Sequence, residues 1–187
     1  MGNIDYLVLI RGINAGSKNV IKMEKLKEIF ENMEFSNIET YIQTGNVYFS
    51  DYENDKQKLI EKIEKTLSDE MKNEIKVKVL KINELKNIIK YAPNEFGREN
   101  DKYKYDIMFL IEPLTTKEIM KGLKILENEN EIYEGKNVLY VKRLSKKLTG
   151  SYIAQIVNKW SDITVRNFKI TNELYELMLK RKNDTKK

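Results

Sequence analysis

With 187 residues, 41% apolar and 34% charged, the chain can build one large core or two small ones and reads as globular rather than disordered. It contains neither cysteine nor histidine, which excludes disulfides, thiol nucleophiles, Ser-His-Asp triads and ordinary zinc sites. The net charge of +5 is uneven: from Lys136 onward Lys and Arg number 13 against 4 Asp and Glu, a basic final third compatible with phosphate-bearing partners.

In chain order, the periodicity predicts a strand at 5–11 and a helix at 22–34 whose apolar face is Met23, Leu26, Ile29, Phe30 and Met33. A hairpin follows, 38–43 and 46–50, turning at Thr44-Gly45 and counting Ile42, Val47 and Phe49 among its apolar residues. Next come a charged helix at 54–72 with the stripe Leu59, Ile60, Ile63 and Leu67, a strand at 77–80, and a short helix capped by Asn83. The polar stretch Pro93 to Asp101 reads as a linker. The order then repeats: strand 105–111, helix 115–126 opened by Thr115, hairpin strands 131–133 and 137–142, helix 149–160, strand 163–167 and a closing helix 171–182.

Two echoes support a duplication, Gly45 to Phe49 with Gly135 to Tyr140, and Lys81 to Leu85 with Lys169 to Leu174. The expected fold is α+β: two ferredoxin-like (βαββαβ) subdomains related by duplication, each with an extra helix. The expected boundaries are 1–92, a linker at 93–102, a second subdomain at 103–182 and a disordered tail at 183–187. No apolar run approaches the roughly 20 residues of a membrane helix. The first residues show neither a secretory nor a myristoylation signal, so a cytoplasmic location without membrane partners is expected.

Topology suggests where chemistry would gather. In a 4-1-3-2 antiparallel sheet the first strand ends where the third begins, which sets Arg11-Gly12 beside Gln43-Thr44-Gly45-Asn46. In the second half, Arg143 and Ser145-Lys146-Lys147 should lie near Arg166-Asn167. The chain uses 29 Lys and only 5 Arg, so an Arg at a strand end is a candidate for its planar fork. The loop Gly12 to Lys18 is not a phosphate loop, because three residues rather than four separate its glycines and Lys does not follow the second. Tight turns are an equal reading of its glycines, and ties of carboxylates or carbonyls to the sheet an equal reading of Arg11, Arg143 and Arg166. Tyr41, Tyr48 and Tyr140 are the candidates for stacking bases on an open sheet face. The acidic residues form neither a calcium loop nor a recognisable acid-base pair.

The runs Arg11-Gly12-Ile13-Asn14-Ala15-Gly16 with Lys18-Asn19 and Met23, and Thr40 to Phe49, resemble the signature of the domain of unknown function 1697 family. Ser145 to Thr149 and Thr164 to Phe168 with Thr171 resemble its C-terminal signature. The chain has Ala15-Gly16 where the family usually has two glycines, and Phe168 where it usually has Trp. The resemblance implies a bacterial cytosolic α+β protein of two related subdomains and implies no settled activity.

The leading reading is a protein that binds a small anionic, phosphate- or carboxylate-bearing ligand. Its candidate binding residues are Arg11, Gly12, Asn14, Gly16, Lys18, Gln43, Thr44, Gly45 and Asn46, with Arg143, Lys146, Lys147, Arg166, Asn167 and Thr171. No catalytic residue, metal site, cofactor or oligomeric state is assigned. The alternatives are an RNA- or DNA-binding module using the basic final third, and a structural or oligomerising protein using its sheet edges.

Overall fold

The structure is a computed structural model that describes residues 2–14, 19–123, 130–145 and 150–184. The chain divides into two units. The first comprises Met1–Leu85 and Leu174–Lys187, the second Lys86–Glu173.

The first unit runs β1 (Ile4–Ile10), α1 (Met23–Asn32), β2 (Ser36–Tyr41), β3 (Asn46–Asp51), α2 (Lys56–Met71) and β4 (Val77–Lys81), and α3 (Ile82–Lys90) begins in it. Its sheet has the order β2-β3-β1-β4 with every pairing antiparallel, the 4-1-3-2 arrangement that the element order predicts. One face carries Tyr6, Val8, Ile10, Val47, Phe49, Val77 and Val79 against Leu26, Ile29 and Phe30 of α1 and Leu59, Ile63 and Leu67 of α2. Three helix starts differ in their caps. Asp55 caps α2 by accepting from the Gln57 N–H, whereas at α3 the Glu84 carboxylate reaches back to the Lys81 N–H. α3 therefore starts at Ile82 and Asn83 is not its cap. α1 follows Lys22, whose side chain offers no acceptor.

The second unit repeats the order with β5 (Tyr103–Leu110), α4 (Thr116–Gly122), β6 (Asn130–Gly135), β7 (Val138–Leu144), α5 (Gly150–Lys159) and β8 (Ile163–Asn167), leading into α6 (Phe168–Asp184). Its sheet order, β6-β7-β5-β8, is the same pattern. Met108, Leu110, Leu139, Val141 and Ile163 pack against Ile119 of α4 and Ile156 of α5. Thr115 opens α4, as its sequence predicts, and caps it in a reciprocal box with Glu118.

β1 is buried from Tyr6 to Ile10 on both its faces, which its unbroken apolar run requires. Facing away from α1 and α2, Tyr48 of β3 donates its hydroxyl to the Leu174 carbonyl at 2.9 Å. Arg181, farther along α6, stacks over the Tyr48 ring at 5.4 Å and bonds the Glu39 carboxylate and the Asn37 carbonyl. Tyr140, the counterpart of Tyr48 on β7, donates to the Ile88 carbonyl of α3 at 2.6 Å. The chain thus passes to the second unit within α3 and returns to the first within α6, rather than dividing at 92/93.

The 93–102 stretch is anchored at Phe96, while Asn94, Glu95 and Arg98 to Lys102 are exposed. Phe96 is buried and sits edge-on to Tyr105, Tyr140 and Phe168, with ring centroids 4.9, 5.6 and 5.1 Å away. Phe168 thereby fills the position expected to carry Trp with a purely apolar ring. α6 starts at Phe168 rather than Thr171 and continues to Asp184, so residues 183–184 are helical; 185–187 lie outside the described residues.

Tyr48→Phe should destabilise the protein by about 1–3 kcal/mol, measured by urea unfolding, because the Leu174 carbonyl loses its tyrosine donor in a buried place. Burial pushes the Tyr6 and Tyr140 phenols up to about 12, the carboxylates Asp51, Glu53 and Glu84 adding to the effect at Tyr6, and burial also raises Tyr48. Between about pH 10, where an unfolded tyrosine ionises, and pH 12, the native state keeps protons that the unfolded state releases. Stability should therefore be insensitive to these phenols below pH 10 and fall as pH rises beyond it, which denaturant midpoints measured across pH 9–12 would show.

Candidate functional site

β1 runs out between two other segments. The Ile10 N–H donates to the Gly45 carbonyl at 2.8 Å, and the Arg11 N–H donates to the Lys76 carbonyl at 2.9 Å. The loop after β1 and the β2–β3 turn therefore meet at one end of the sheet, as the strand order predicts. Gly45 has φ +71°, and a Cβ there would stand 3.1 Å from the Cβ of Ile10 and 3.3 Å from that of Ile13. Both conformation and space demand glycine.

Asn14 binds the two loops together. Its Nδ2 donates to the carbonyls of Ile21 and Gln43, each at 3.0 Å, and its Oδ1 accepts from the Ile21 N–H at 2.9 Å. Asn46 closes the turn from within: it is fully buried, and its Nδ2 donates to the Tyr41 carbonyl at 3.0 Å and the Thr44 hydroxyl at 2.9 Å. Both amides are thus committed to the scaffold, and their role is to shape the site rather than to face a ligand. Gln43 and Thr44 are exposed, as is Gly12, while Gly45 is buried. Arg11 is half-buried where β1 ends. Gly16 and Lys18 lie outside the described residues.

Left-handed backbone concentrates here. Gly12, Asn14, Asn19, Ile42 and Gly45 all have positive φ. Glycine and asparagine enter that region readily, but a β-branched residue does so at a cost of about 1–3 kcal/mol. Ile42 is at φ +49° and 41% exposed, so it belongs to the turn and not, as its type suggests, to the buried side of the hairpin.

A cleft of about 370 Å³ opens beside this junction, lined by Asn14, Val20, Ile21, Lys22, Met23, Glu24 and Gln43. The first turn of α1 forms one wall. Lys22, at the N-cap position, makes no side-chain bond to its leading N–H groups, and these carry the positive end of the helix dipole. The turn holding Gln43 forms the opposite wall, positioned through Asn14. Lys22 and the α1 start do not stand out as site residues in the sequence; their signal is negative, the absence of Ser, Thr, Asp or Asn immediately before Met23.

In the second unit the expected candidates do not converge. Arg143 pairs with Lys104 across β5–β7 and Arg166 with Ile107 across β5–β8. Those β5 partners lie three positions apart, an odd offset, so the two arginines project from opposite faces of the sheet. Arg143 forms a shielded ion pair with Asp106 at 2.8 Å. Arg166 is buried, donates to the Thr164 hydroxyl and the Val165 carbonyl, and has its guanidinium pushed down to about 10 by burial. Asn167 accepts from the Ile170 N–H and Thr171 donates to the Asn167 carbonyl, so both serve the first turn of α6. Lys146 and Lys147 lie outside the described residues. Tyr48 and Tyr140 are each 1% exposed, so neither can stack a base, and Tyr41 is half-buried. Among the described residues no group of three acidic side chains could hold a metal ion, and no helix is long and apolar enough to cross a membrane.

A conserved bacterial protein from Streptococcus pneumoniae has a similar solved structure, with a TM-score of 0.79 at 24% identity over 95% of this chain and 99% of that one. That likeness is one of fold. No curated protein matches the chain. A family model described as a protein of unknown function, DUF1697, matches residues 4–140, which takes in both N-terminal loops and stops short of the C-terminal runs. With that model spanning most of the chain and the junction of β1 with the β2–β3 turn inside it, the protein belongs to the DUF1697 family.

Proposed function

We propose that the protein binds a small anionic ligand, bearing phosphate or carboxylate, in the cleft between the start of α1 and the β2–β3 turn. The observation that carries this reading is that a helix N-terminus without a side-chain cap from its N-cap residue Lys22 opens into a cleft whose other wall is held in place by Asn14 and the buried Asn46. First-turn N–H groups and the helix dipole favour an anion by about 0.3–1 kcal/mol, more where water is partly excluded. Lys22 adds a positive charge at the cleft, and Gln43 adds an amide that can donate or accept. Glu24 in the same lining restricts the accepted charge to a compact group seated at the helix start, away from its carboxylate. Asn14 and Asn46 support the reading indirectly, since rigid placement of the walls lowers the entropy lost on binding.

The test is thermal unfolding with inorganic phosphate, nucleotides, sugar phosphates and dicarboxylates. A ligand present at about 100 times its Kd should raise the Tm by about 5–10 °C. Lys22→Glu and Gln43→Ala, both at exposed positions, should fold normally and reduce that rise. No rise with any of these compounds, or an undiminished rise in Lys22→Glu, overturns the proposal.

A further inference from the structure

A second cavity in the first unit, about 460 Å³, lies where β1 begins, β4 passes into α3, and α6 ends. Its lining includes Ile4, Asp5, Lys81, Ile82, Glu84 and Lys182. This volume falls in the range of small-molecule sites, which combine apolar walls with a few convergent polar groups.

The charged groups around it are not equivalent. Glu84 is already engaged: its Oε1 accepts from Lys56 at 2.6 Å and its Oε2 from the Lys81 N–H at 2.8 Å. Burial works against its charge, and those hydrogen bonds outweigh it, holding the carboxyl below its usual range. The Lys81 ammonium is bonded to the Asn54 side chain at 2.6 Å. Asp5 is held differently. Its Oδ1 accepts from the Ser50 hydroxyl at 2.6 Å, and that hydroxyl, buried in the sheet, itself accepts from the Asn37 amide at 3.2 Å. A relay of neutral groups thus orients the Asp5 carboxylate without neutralising it. Lys182 is exposed at the last turn of α6 and makes no ion pair among the described residues. The cavity therefore offers the oriented, un-neutralised carboxylate of Asp5 and two ammoniums, Lys81 held by a neutral amide and Lys182 without an ion pair, with Ile4 and Ile82 as apolar surface.

We propose that this cavity binds a small zwitterion of the free amino-acid class, its ammonium on Asp5, its carboxylate on Lys182 and its carbon skeleton against Ile4 and Ile82. A simple anion would be repelled by Asp5 and a simple cation by Lys182, whereas a molecule carrying both charges satisfies each. The site is separate from the cleft at α1 and does not depend on it.

Isothermal titration of the full chain with a panel of free amino acids tests this. Each is compared with its N-acetyl derivative, which lacks the cation, and its carboxamide, which lacks the anion. At least one free amino acid should bind saturably, and both derivatives should bind about tenfold or more weakly. Asp5→Asn keeps the side chain's shape and its acceptor oxygen for Ser50, and should weaken binding about tenfold or more. Lys182→Gln, at an exposed position, should do the same, and circular dichroism would confirm that both variants fold. The proposal is overturned if no amino acid binds at concentrations up to about 10 mM. It is equally overturned if the derivatives bind as well as the parent, or if folded Asp5→Asn and Lys182→Gln bind unchanged.

Discussion

Each sheet must be covered on both faces, and most of the architecture follows from that constraint. The central strands β1 and β5 are apolar without alternation and buried nearly throughout, so two helices on one face cannot be the whole solution. Tyr48 and Tyr140 show how the other face is closed. Each is a large, fully buried ring whose hydroxyl reaches a helix carbonyl, Leu174 in one unit and Ile88 in the other. The ring supplies apolar area, and the hydroxyl avoids the cost of an unpaired buried donor. Arg181, held over the Tyr48 ring and bonded to Glu39 and Asn37, fixes the end of α6 by the same combination of stacking and polar contact.

The same closure redirects the functional reading. A ferredoxin-like sheet with an open face would present its tyrosines to bases. Here those tyrosines are buried, and the exposed chemistry is displaced to the ends and edges of the sheet. At the β1 exit, the two asparagines that looked like ligand donors are structural. Asn14 joins two loops, and Asn46 closes a turn that forces even an isoleucine into left-handed backbone. What they leave accessible is the cleft at the α1 start.

Much of this organisation was legible in the residues. Apolar spacing located the elements, and Thr44 with Gly45 marked the turn. Thr115 marked the start of α4, although its box with Glu118 came only with the structure. The scarcity of arginine singled out Arg143 and Arg166 as candidates for a ligand or, equally, for partners within the protein. It did not indicate which partners, because neighbours across a sheet are set by register. Three positions along β5 separate the residues facing Arg143 and Arg166, and that spacing turns one toward α4 and α5 and the other away. Phe96 misled for a related reason: in sequence it sits among Pro, Gly and polar residues, and its three aromatic partners come from β5, β7 and α6.

The sequence by itself determined the α+β class, the twofold repetition of βαββαβ, the family, and the exclusion of thiol and imidazole chemistry, because periodicity, composition and local motifs act over short stretches of chain. Only the tertiary structure decided which polar groups are left for a ligand. Asn14, Asn46 and Arg166 are consumed by partners, whereas Lys22 gives the first turn of α1 no side-chain cap and Asp5 is oriented by Ser50. A side chain's availability is what remains after its neighbours have satisfied it, and those neighbours are brought together by strand pairing across tens of residues.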